Sequence, residues 1–376
     1  MYLYVSIFIF ILLSLCSNYS TTTVKGSNHL FGIMAGFVFI FSTTVSYFDG
    51  VDWPAYAEFY KNIENYSYLR FEIGFSFLFY IFHHIGISFY AAIICYFSVI
   101  SSLIFIFSSA AKANISLSFL FLFTTFYFDL FSDQIRQGFS LVLIYGFLVF
   151  LLKNRFRLSL WCALFAIFFH YSSIIMILIS LGVYKVTLKP KIGYSWLCVY
   201  IFSFLFIFST YFFSDQMEFI AVSLIDVFGE SRTLNNFHQE LINSNDDNFS
   251  IGYFAIIDFL LLIVSPIFIV RISRLENRCW LFIVLGVTIY SAIHLSFYKM
   301  PFMQRVSIYF LLYYMLAFLY LFNDKISIFI INERELFIKT FIAIIALLIS
   351  LFSFQKGFDN DIRVILKENP SFFESR

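Results

Sequence analysis

Residues suited to chemistry lie in two short stretches of an otherwise apolar chain. Arg136 and Gln137 stand at the beginning of one apolar run, and His170 lies in the middle of another. A charged side chain at bilayer depth costs roughly 2.5–3.5 kcal/mol on insertion scales. Because such residues are rarely kept without a role, we expect both stretches to line one outward-facing cavity.

Arg136 has the chemistry of a phosphate ligand. A guanidinium group binds phosphate oxygens in a bidentate manner, and a helix start adds free N–H groups and a favourable dipole. The structural alternative is an interfacial arginine, or a pair with Asp129 or Asp133. Gln137 is the neighbouring candidate for sugar contacts. His170 has the chemistry to deprotonate a hydroxyl or to hydrogen-bond a phosphate; its alternative is a buried structural histidine.

Three further candidates precede this region. Asp52 and Tyr56 follow an apolar run in Asp49-Gly50-Val51-Asp52-Trp53-Pro54-Ala55-Tyr56, and they could hydrogen-bond the hydroxyls of a sugar. The alternative is an interfacial turn whose aromatic residues lie at the membrane surface. Glu72 is a candidate general base whose pKa partial burial would raise. Its alternative is an acid placed at a helix start by the helix dipole.

Two later arginines complete the set of candidates. Arg305 precedes a late apolar run, and Arg232 lies in a long polar segment. Two or three arginines that face one cavity suit a diphosphate. The alternative for both is an ordinary loop charge.

The composition determines the class of protein that must position these residues. Hydrophobic residues make up 61% of the 376 residues and charged residues 12%, whereas soluble domains average about 45–50% and about 25%. The apolar runs are mostly long enough to span a bilayer. The sequence therefore predicts an all-α polytopic membrane protein, a single integral membrane domain over 1–376, with about 12 transmembrane helices plus a short re-entrant segment.

Two segments decide the predicted topology. Segment 158–184 is too long for one crossing and has basic residues at both ends, which predicts a hairpin with His170 near its outer tip. Each arm is then too short to cross fully, so His170 would lie at the floor of a cavity. Segment 71–86 is short and carries Glu72, which predicts a re-entrant helix within an outer loop over 49–87. This arrangement places more Lys and Arg inside than outside, puts both termini outside, and makes 214–250 a large outer loop.

Other classes of chemistry have no support in the sequence. The five cysteines form no CxxC or Cys/His pattern, so neither a metal site nor a disulfide framework is indicated. The chain has no Walker motif and no GxGxxG pattern, so nucleotide chemistry is unsupported. We expect no metal and no cofactor, and a near-neutral net charge gives no reason to expect a nucleic-acid partner.

The candidate motifs, taken in order, resemble those of the Wzy-type polysaccharide polymerases, in particular the EpsG-like family of O-antigen and exopolysaccharide polymerases. The resemblance covers roughly residues 45–310. It rests on five motifs: Asp49-Gly50-x-Asp52-x-x-x-Tyr56, Glu72-x-Gly74, Arg136-Gln137, Phe169-His170-x-Ser172 and Arg305-x-x-x-Tyr309.

The resemblance implies a metal-independent, multi-pass glycosyltransferase of the bacterial inner membrane. Such enzymes join oligosaccharide repeat units carried on undecaprenyl diphosphate at the periplasmic face, making O-antigen (part of lipopolysaccharide) or a related surface polysaccharide. It implies that Arg136 and Arg305 hold the departing diphosphate, and that His170, Glu72 or Asp52 takes the acceptor proton. Arg232 stays a further candidate cation on its residue type alone. The expected partners are the lipid-linked oligosaccharide, the bilayer, and a chain-length regulator and flippase of the same pathway.

Three other functions compete with this interpretation. A lipid-linked oligosaccharide flippase would need charges along a two-sided path, whereas only Asp258 lies well inside a predicted helix. An O-antigen ligase would usually have a larger outer loop than 214–250. A membrane acyltransferase would need paired catalytic motifs on one face, which are not found. Neither the sugars, the linkage nor the chain length follows from the sequence.

Overall fold

The computed structural model describes residues 2–21, 26–45, 52–64, 71–188, 253–274, 278–296 and 306–321. Every regular element within these ranges is helical, which confirms the all-α prediction. Within the described ranges the α-helices are twelve in number: α1 (Tyr2–Thr21), α2 (Ser27–Val45), α3 (Trp53–Lys61), α4 (Ile73–His84), α5 (Phe89–Ala111), α6 (Ile115–Phe126), α7 (Ile135–Leu152), α8 (Phe156–Phe169), α9 (Ser173–Thr187), α10 (Tyr253–Arg274), α11 (Arg278–Ser296) and α12 (Leu312–Leu321). A π-helix, Tyr127–Asp133, continues α6, and a 3-10 turn, Ile308–Leu311, precedes α12.

Five stretches of the described chain are long and apolar enough to cross a membrane: α2, α5, α6 with its π-helix, α7 and α11. Their composition makes this a membrane protein. The predicted number of about 12 crossings stays a prediction, because the runs at 192–213 and 336–354 and the loop at 214–250 lie outside the described residues. The orientation of the termini likewise stays a prediction.

The chain divides into two compact units. The first contains the described residues up to Ile174 together with those from Met315 to Leu321, and the second contains those from Ile175 to Tyr314. The candidate residues Asp52, Tyr56, Glu72, Arg136 and His170 all belong to the first unit.

Aromatic packing forms the centre of the first unit. Phe39 of α2 is fully buried and contacts Phe97 of α5, Phe119 of α6 and Phe131 of the π-helix, with ring centroids 5.1–6.4 Å apart. The contacts with Phe97 and Phe131 are edge-to-face, a geometry that adds about 0.5–1.5 kcal/mol per pair beyond burial. Phenylalanine thus serves packing within this unit.

The short helix and the interrupted helix that the sequence predicted both appear in the structure. Helix α4 has only 12 residues, about 18 Å at 1.5 Å per residue, which is too short to cross a hydrocarbon core of about 30 Å. The predicted long segment 158–184 is interrupted, because α8 ends at Phe169 and α9 begins at Ser173. His170 therefore lies at a break between two short helices, as the sequence indicated.

In the second unit, a tyrosine in the first turn of α12 contacts both α9 and α11. The Tyr313 hydroxyl donates a hydrogen bond of 2.9 Å to Ser180 Oγ of α9. A Cβ atom at Gly286 of α11 would overlap the Tyr313 ring. Glycine at position 286 therefore permits the close approach of this aromatic side chain to α11.

Candidate active site

Helix α3 is attached to the end of the π-helix by two hydrogen bonds. The indole Nε1–H of Trp53 donates to the Ser132 carbonyl at 2.6 Å, and the backbone N–H of Asp52 donates to the Asp133 carboxylate at 2.9 Å. Pro54 in the first turn suits a helix start, because its fixed φ fits and no N–H is needed there. These contacts fix the position of Tyr56, which lies one turn further along α3.

The π-helix determines where α7 starts. Such helices are rare and occur frequently at functional sites. Gln134 separates the π-helix from α7, and the Tyr96 hydroxyl of α5 donates to the Ile135 carbonyl at 3.1 Å. Arg136, the second residue of α7, is thus held between the π-helix and α5.

Arg136 is bound on several sides. Its Nη1 donates to Glu72 Oε2, and its Nε donates to the Tyr56 hydroxyl at 3.3 Å. Its guanidinium carbon lies 4.6 Å from the centre of the Phe71 ring, a cation–π contact worth about 0.5–2 kcal/mol. The predicted structural alternative, a pair with Asp129 or Asp133, is not the arrangement found. The Nη2 group takes part in neither hydrogen bond and remains available within the described part of the site.

Glu72 joins the arginine to the histidine. While Oε2 accepts from Arg136, Oε1 lies 2.6 Å from His170 Nδ1. Burial acts to raise the pKa of the Glu72 carboxyl, but the His170 hydrogen bond and the Arg136 charge outweigh burial and hold the pKa below its ordinary value. The expectation of a pKa raised by burial is therefore wrong. Both oxygens are engaged and the group stays ionised at neutral pH, so Glu72 is suited to position its neighbours.

His170 is held at the end of α8 by its own backbone. Its N–H donates to the Ala166 carbonyl at 2.9 Å, and its carbonyl accepts from Ser173 Oγ at 2.7 Å. The preceding Phe169 stacks on Phe139 of α7 with centroids 4.0 Å apart and planes 7° apart. The break in the helix thus points the imidazole to Glu72 while the neighbouring ring anchors α8 to α7.

Glycine at position 74 allows α4 to approach α8 closely. A Cβ atom there would lie 2.9 Å from the Phe168 carbonyl oxygen, closer than real Cβ contacts. Because that oxygen belongs to the backbone, it cannot turn aside as a flexible side chain could. The Glu72-x-Gly74 motif therefore combines the carboxylate with the small residue that lets it reach His170.

Tyr56 serves as a neutral link between Arg136 and Asp52. It is fully buried, and its hydroxyl accepts from Arg136 Nε and lies 3.4 Å from Asp52 Oδ2, to which it donates. Burial raises the pKa of the Tyr56 phenol well above its ordinary value, the Arg136 charge opposes this, and Asp52 adds to it. The phenol therefore stays protonated and orients the arginine.

The structure brings five of the eight predicted site residues into one cluster, namely Asp52, Tyr56, Glu72, Arg136 and His170. We call these five residues the Glu72 cluster. The side chains of Glu72, Arg136 and His170 are 9%, 21% and 25% exposed, so the cluster is half-buried and its histidine and arginine remain accessible. Gln137 is buried at the start of α7. Arg232 and Arg305 lie outside the described residues.

Sequence reasoning missed the residues that support this cluster. Phe71 contacts Arg136. Its position next to Glu72 in the chain was the signal that could have predicted this contact. Tyr96 gave no signal, because it is one aromatic residue among many in α5. Within the described ranges, no group of three or more His, Cys, Asp or Glu side chains could hold a metal ion.

Comparison with known protein families gives a match over most of the chain. The model of the EpsG family matches residues 29–361, a range that includes every residue of the Glu72 cluster. No curated protein matches, and no solved structure matches.

Proposed function

Because the chain belongs to the EpsG family, we propose that it is a membrane glycosyltransferase that polymerises a polysaccharide. Its substrates are oligosaccharide repeat units carried on undecaprenyl diphosphate, and its place is the periplasmic side of the bacterial inner membrane. The product is O-antigen or a related surface polysaccharide. The observation that carries this proposal is the shared carboxylate, Glu72, which binds Arg136 through one oxygen and His170 through the other.

His170 is the proposed general base. An ionised carboxylate only accepts hydrogen bonds, so the Nδ1 atom that faces Glu72 carries a proton. In a neutral imidazole the Nε2 atom is then the free base, directed away from Glu72. Orientation of a histidine base by a carboxylate is a common catalytic device. Glu72 is the positioning residue in this proposal, and Asp52 orients Tyr56.

Arg136 is the proposed ligand of the departing diphosphate. Glu72 and Tyr56 occupy Nη1 and Nε, which leaves the Nη2 edge for a phosphate oxygen. The bond between the anomeric carbon of the donor chain and the diphosphate oxygen breaks with its electrons on the oxygen. Arg136 stabilises that charge as it develops. Arg305 and Arg232 remain proposed further ligands of the same diphosphate.

The proposed reaction is balanced without a metal. The acceptor hydroxyl oxygen bonds to the anomeric carbon as the diphosphate leaves, and the hydroxyl proton passes to His170 Nε2. The products are the lengthened chain on the acceptor's lipid, undecaprenyl diphosphate, and one proton that His170 later releases to water. A diphosphate is a good leaving group. The transfer therefore mainly requires one base to take the acceptor proton and one cation to stabilise the departing diphosphate.

The test is the polymer ladder made by variants in cells and by purified protein in nanodiscs with lipid-linked repeat units. We expect Arg136→Ala and His170→Ala to stay inserted but to produce only the single repeat unit. Arg157→Ala, which removes an exposed arginine of α8, is the matched control and should give a full ladder. A full ladder from both site variants would refute the assignment. Transfer to a lipid A core without chain growth would instead identify a ligase.

A further inference from the structure

Helices α5 and α7 run side by side in the same direction, away from the Glu72 cluster. Near the cluster, the Tyr96 hydroxyl of α5 donates to the Ile135 carbonyl of α7. Near the other end, Phe107 of α5 packs edge-on against Phe150 of α7 with ring centroids 5.7 Å apart. Both helices are long and apolar enough to span a membrane, and the 18 residues of α7 extend about 27 Å. Their ends therefore lie near the bilayer surface opposite to the cluster.

Basic side chains gather where these two helices end. Lys112 follows α5, while Lys153 and Arg155 follow α7. Lys153 is half-buried, whereas Lys112 and Arg155 are exposed. Burial lowers the pKa of the Lys153 ammonium, and the positive charges of Lys112 and Arg155 lower it further. Like charges this close repel one another, so their proximity is unfavourable until an anion offsets it.

The ends of the helices do not require these cations. The backbone N–H of Arg155 donates to the Phe150 carbonyl at 2.9 Å, and that of Asn154 donates to the Leu151 carbonyl at 3.0 Å. The last turn of α7 is thus closed by the main chain. Helices α6 and α8 begin where α5 and α7 end, so two positive helix ends offset two negative ones. Neither capping nor the helix dipole accounts for the basic group.

The described part of the first unit offers these cations no acidic partner. Neither Lys153 nor Arg155 forms an ion pair with a described residue. The described acids of this unit belong to α3 and its flanking residues, the start of α4 and the π-helix, namely Asp52, Glu58, Glu64, Glu72, Asp129 and Asp133. Those elements adjoin the start of α7, at the other surface. The countercharge for Lys153 and Arg155 is therefore sought outside the described chain.

An apolar surface begins directly after the basic residues. Helix α8, which packs against α7, carries exposed side chains at positions i, i+4 and i+8, namely Phe156, Leu160 and Leu164, which are 49%, 44% and 42% exposed. This spacing places the three on one face of the helix. A positive group at the bilayer surface with an apolar stripe below it matches the two parts of an anionic lipid, a phosphate and its hydrocarbon chains.

We propose that Lys153 and Arg155 bind the phosphate of an anionic phospholipid whose acyl chains lie along the exposed face of α8. A guanidinium group and an ammonium group are both established phosphate ligands. Basic pockets at the cytoplasmic side of membrane proteins bind anionic headgroups, and the predicted topology puts this end of α7 on that side. This lipid site is independent of the proposed polymerase function.

Glutamine substitutions remove the charges and keep long polar side chains. Lys153→Gln and Arg155→Gln, singly and together, test the site, and Lys153→Arg keeps the charge. Lys61→Gln is the matched control, because Lys61 is an exposed lysine at the end of α3, near the other bilayer surface.

The experiment measures dissociation constants of the full chain in detergent by native mass spectrometry. The probes are phosphatidylglycerol, phosphatidylethanolamine with the same acyl chains, and glycerol 3-phosphate as a competitor without chains. A basic residue near a membrane surface adds about 1 kcal/mol of attraction, so each glutamine variant should bind phosphatidylglycerol about fivefold more weakly, and the double variant about 25-fold. Lys153→Arg and Lys61→Gln should match the unmodified chain. Phosphatidylethanolamine should bind more weakly and equally to all variants.

Several results would overturn the inference. Full-strength phosphatidylglycerol binding by the double variant would place the lipid elsewhere, and an equal loss in Lys61→Gln would indicate general attraction to any cation. Equal binding of phosphatidylethanolamine by the unmodified chain would exclude recognition of charge. Displacement of the lipid by an equal concentration of glycerol 3-phosphate would identify a site for free anions.

A second measurement covers a double variant that does not fold. Phosphatidylglycerol should slow hydrogen exchange of the backbone at 153–158 in the unmodified chain, whereas phosphatidylethanolamine should not. Equal exchange with the two lipids would refute the site.

Discussion

Nδ1 of His170 lies 2.6 Å from Oε1 of Glu72, although 98 residues separate them in the chain. The second oxygen of the same carboxylate accepts from Arg136. One acidic side chain thus determines the position of both the proposed base and the proposed diphosphate ligand. Changes at Glu72 should therefore affect proton transfer and donor binding together.

Glu72→Gln should abolish most activity while leaving the protein folded. The amide has nearly the same shape but loses the charge that orients the His170 tautomer and pairs with Arg136. We expect the turnover rate to fall about 10²–10⁴-fold, measured with lipid-linked repeat units in nanodiscs. Glu64→Gln, which changes an exposed carboxylate on the segment after α3, is the control. Turnover near that of the control would show that the charge of Glu72 is dispensable.

Tyr56→Phe should weaken donor binding more than it slows turnover. It removes the hydroxyl that accepts from Arg136 Nε at 3.3 Å and leaves the ring packing intact. Loss of one hydrogen bond to a charged group is worth about 1.5–3 kcal/mol when buried, so we expect KM for the donor lipid to rise at least about tenfold. Tyr60→Phe, whose hydroxyl bonds to the Ile87 carbonyl instead, is the comparison. Equal effects of the two variants would contradict a specific role for Tyr56.

Gly74→Ala should destabilise the first unit and separate Glu72 from His170. The new Cβ would meet the Phe168 carbonyl oxygen, and overpacking of this kind typically costs 1–3 kcal/mol. Gly182→Ala is a precise control, because a Cβ at that helical position of α9 has nothing within 4 Å. We expect a lower unfolding temperature for Gly74→Ala and an unchanged or higher one for Gly182→Ala. The reverse order would exclude close α4–α8 packing.

Acid should destabilise the first unit through Glu72. Its folded-state pKa lies below the ordinary value of 4.5, so its contribution to stability is complete above the unfolded-state pKa. That contribution disappears as pH falls from about 4.5 through the lower folded-state value. The unfolding temperature in detergent, measured between pH 7 and pH 3, should therefore fall less steeply with acid for Glu72→Gln than for the unmodified protein. Parallel curves for the two proteins would rule out this linkage.

The sequence predicted the kinds of elements better than their contacts. The basic residues at both ends of 158–184 and its excess length indicated the break at His170, and the shortness of 71–86 indicated α4. Both signals are local, since hydrophobic length and flanking charge are read directly from neighbouring residues. The π-helix left no such signal, because its extra residue reflects how the end of α6 packs.

The mutual pairing in the Glu72 cluster could not be predicted from residue types. Glu72 lies 64 residues from Arg136, and the choice of Glu72 over Asp129 or Asp133 depends on how α3, α4 and the π-helix pack together. Asp258 was noticed in the sequence as an acid within a helix, but its partner His294, whose Nδ1 lies 2.6 Å from Asp258 Oδ2, was not. The missing inference was that α10 and α11 each carry an ionisable residue besides the arginines near their ends, which favours a pair.

The hydrogen bond from the Trp53 indole to the Ser132 carbonyl holds α3 against the π-helix. Tyr56 and Arg136 are therefore in place before any substrate arrives. Tyr56 lies on α3, and Arg136 lies at the start of α7, which follows the π-helix. One indole hydrogen bond therefore links the elements that position both side chains. Little reorganisation is then required when negative charge appears on the leaving group. Loss of the Trp53 indole should therefore displace the Arg136 side chain, even though the indole bonds to Ser132 and not to the arginine.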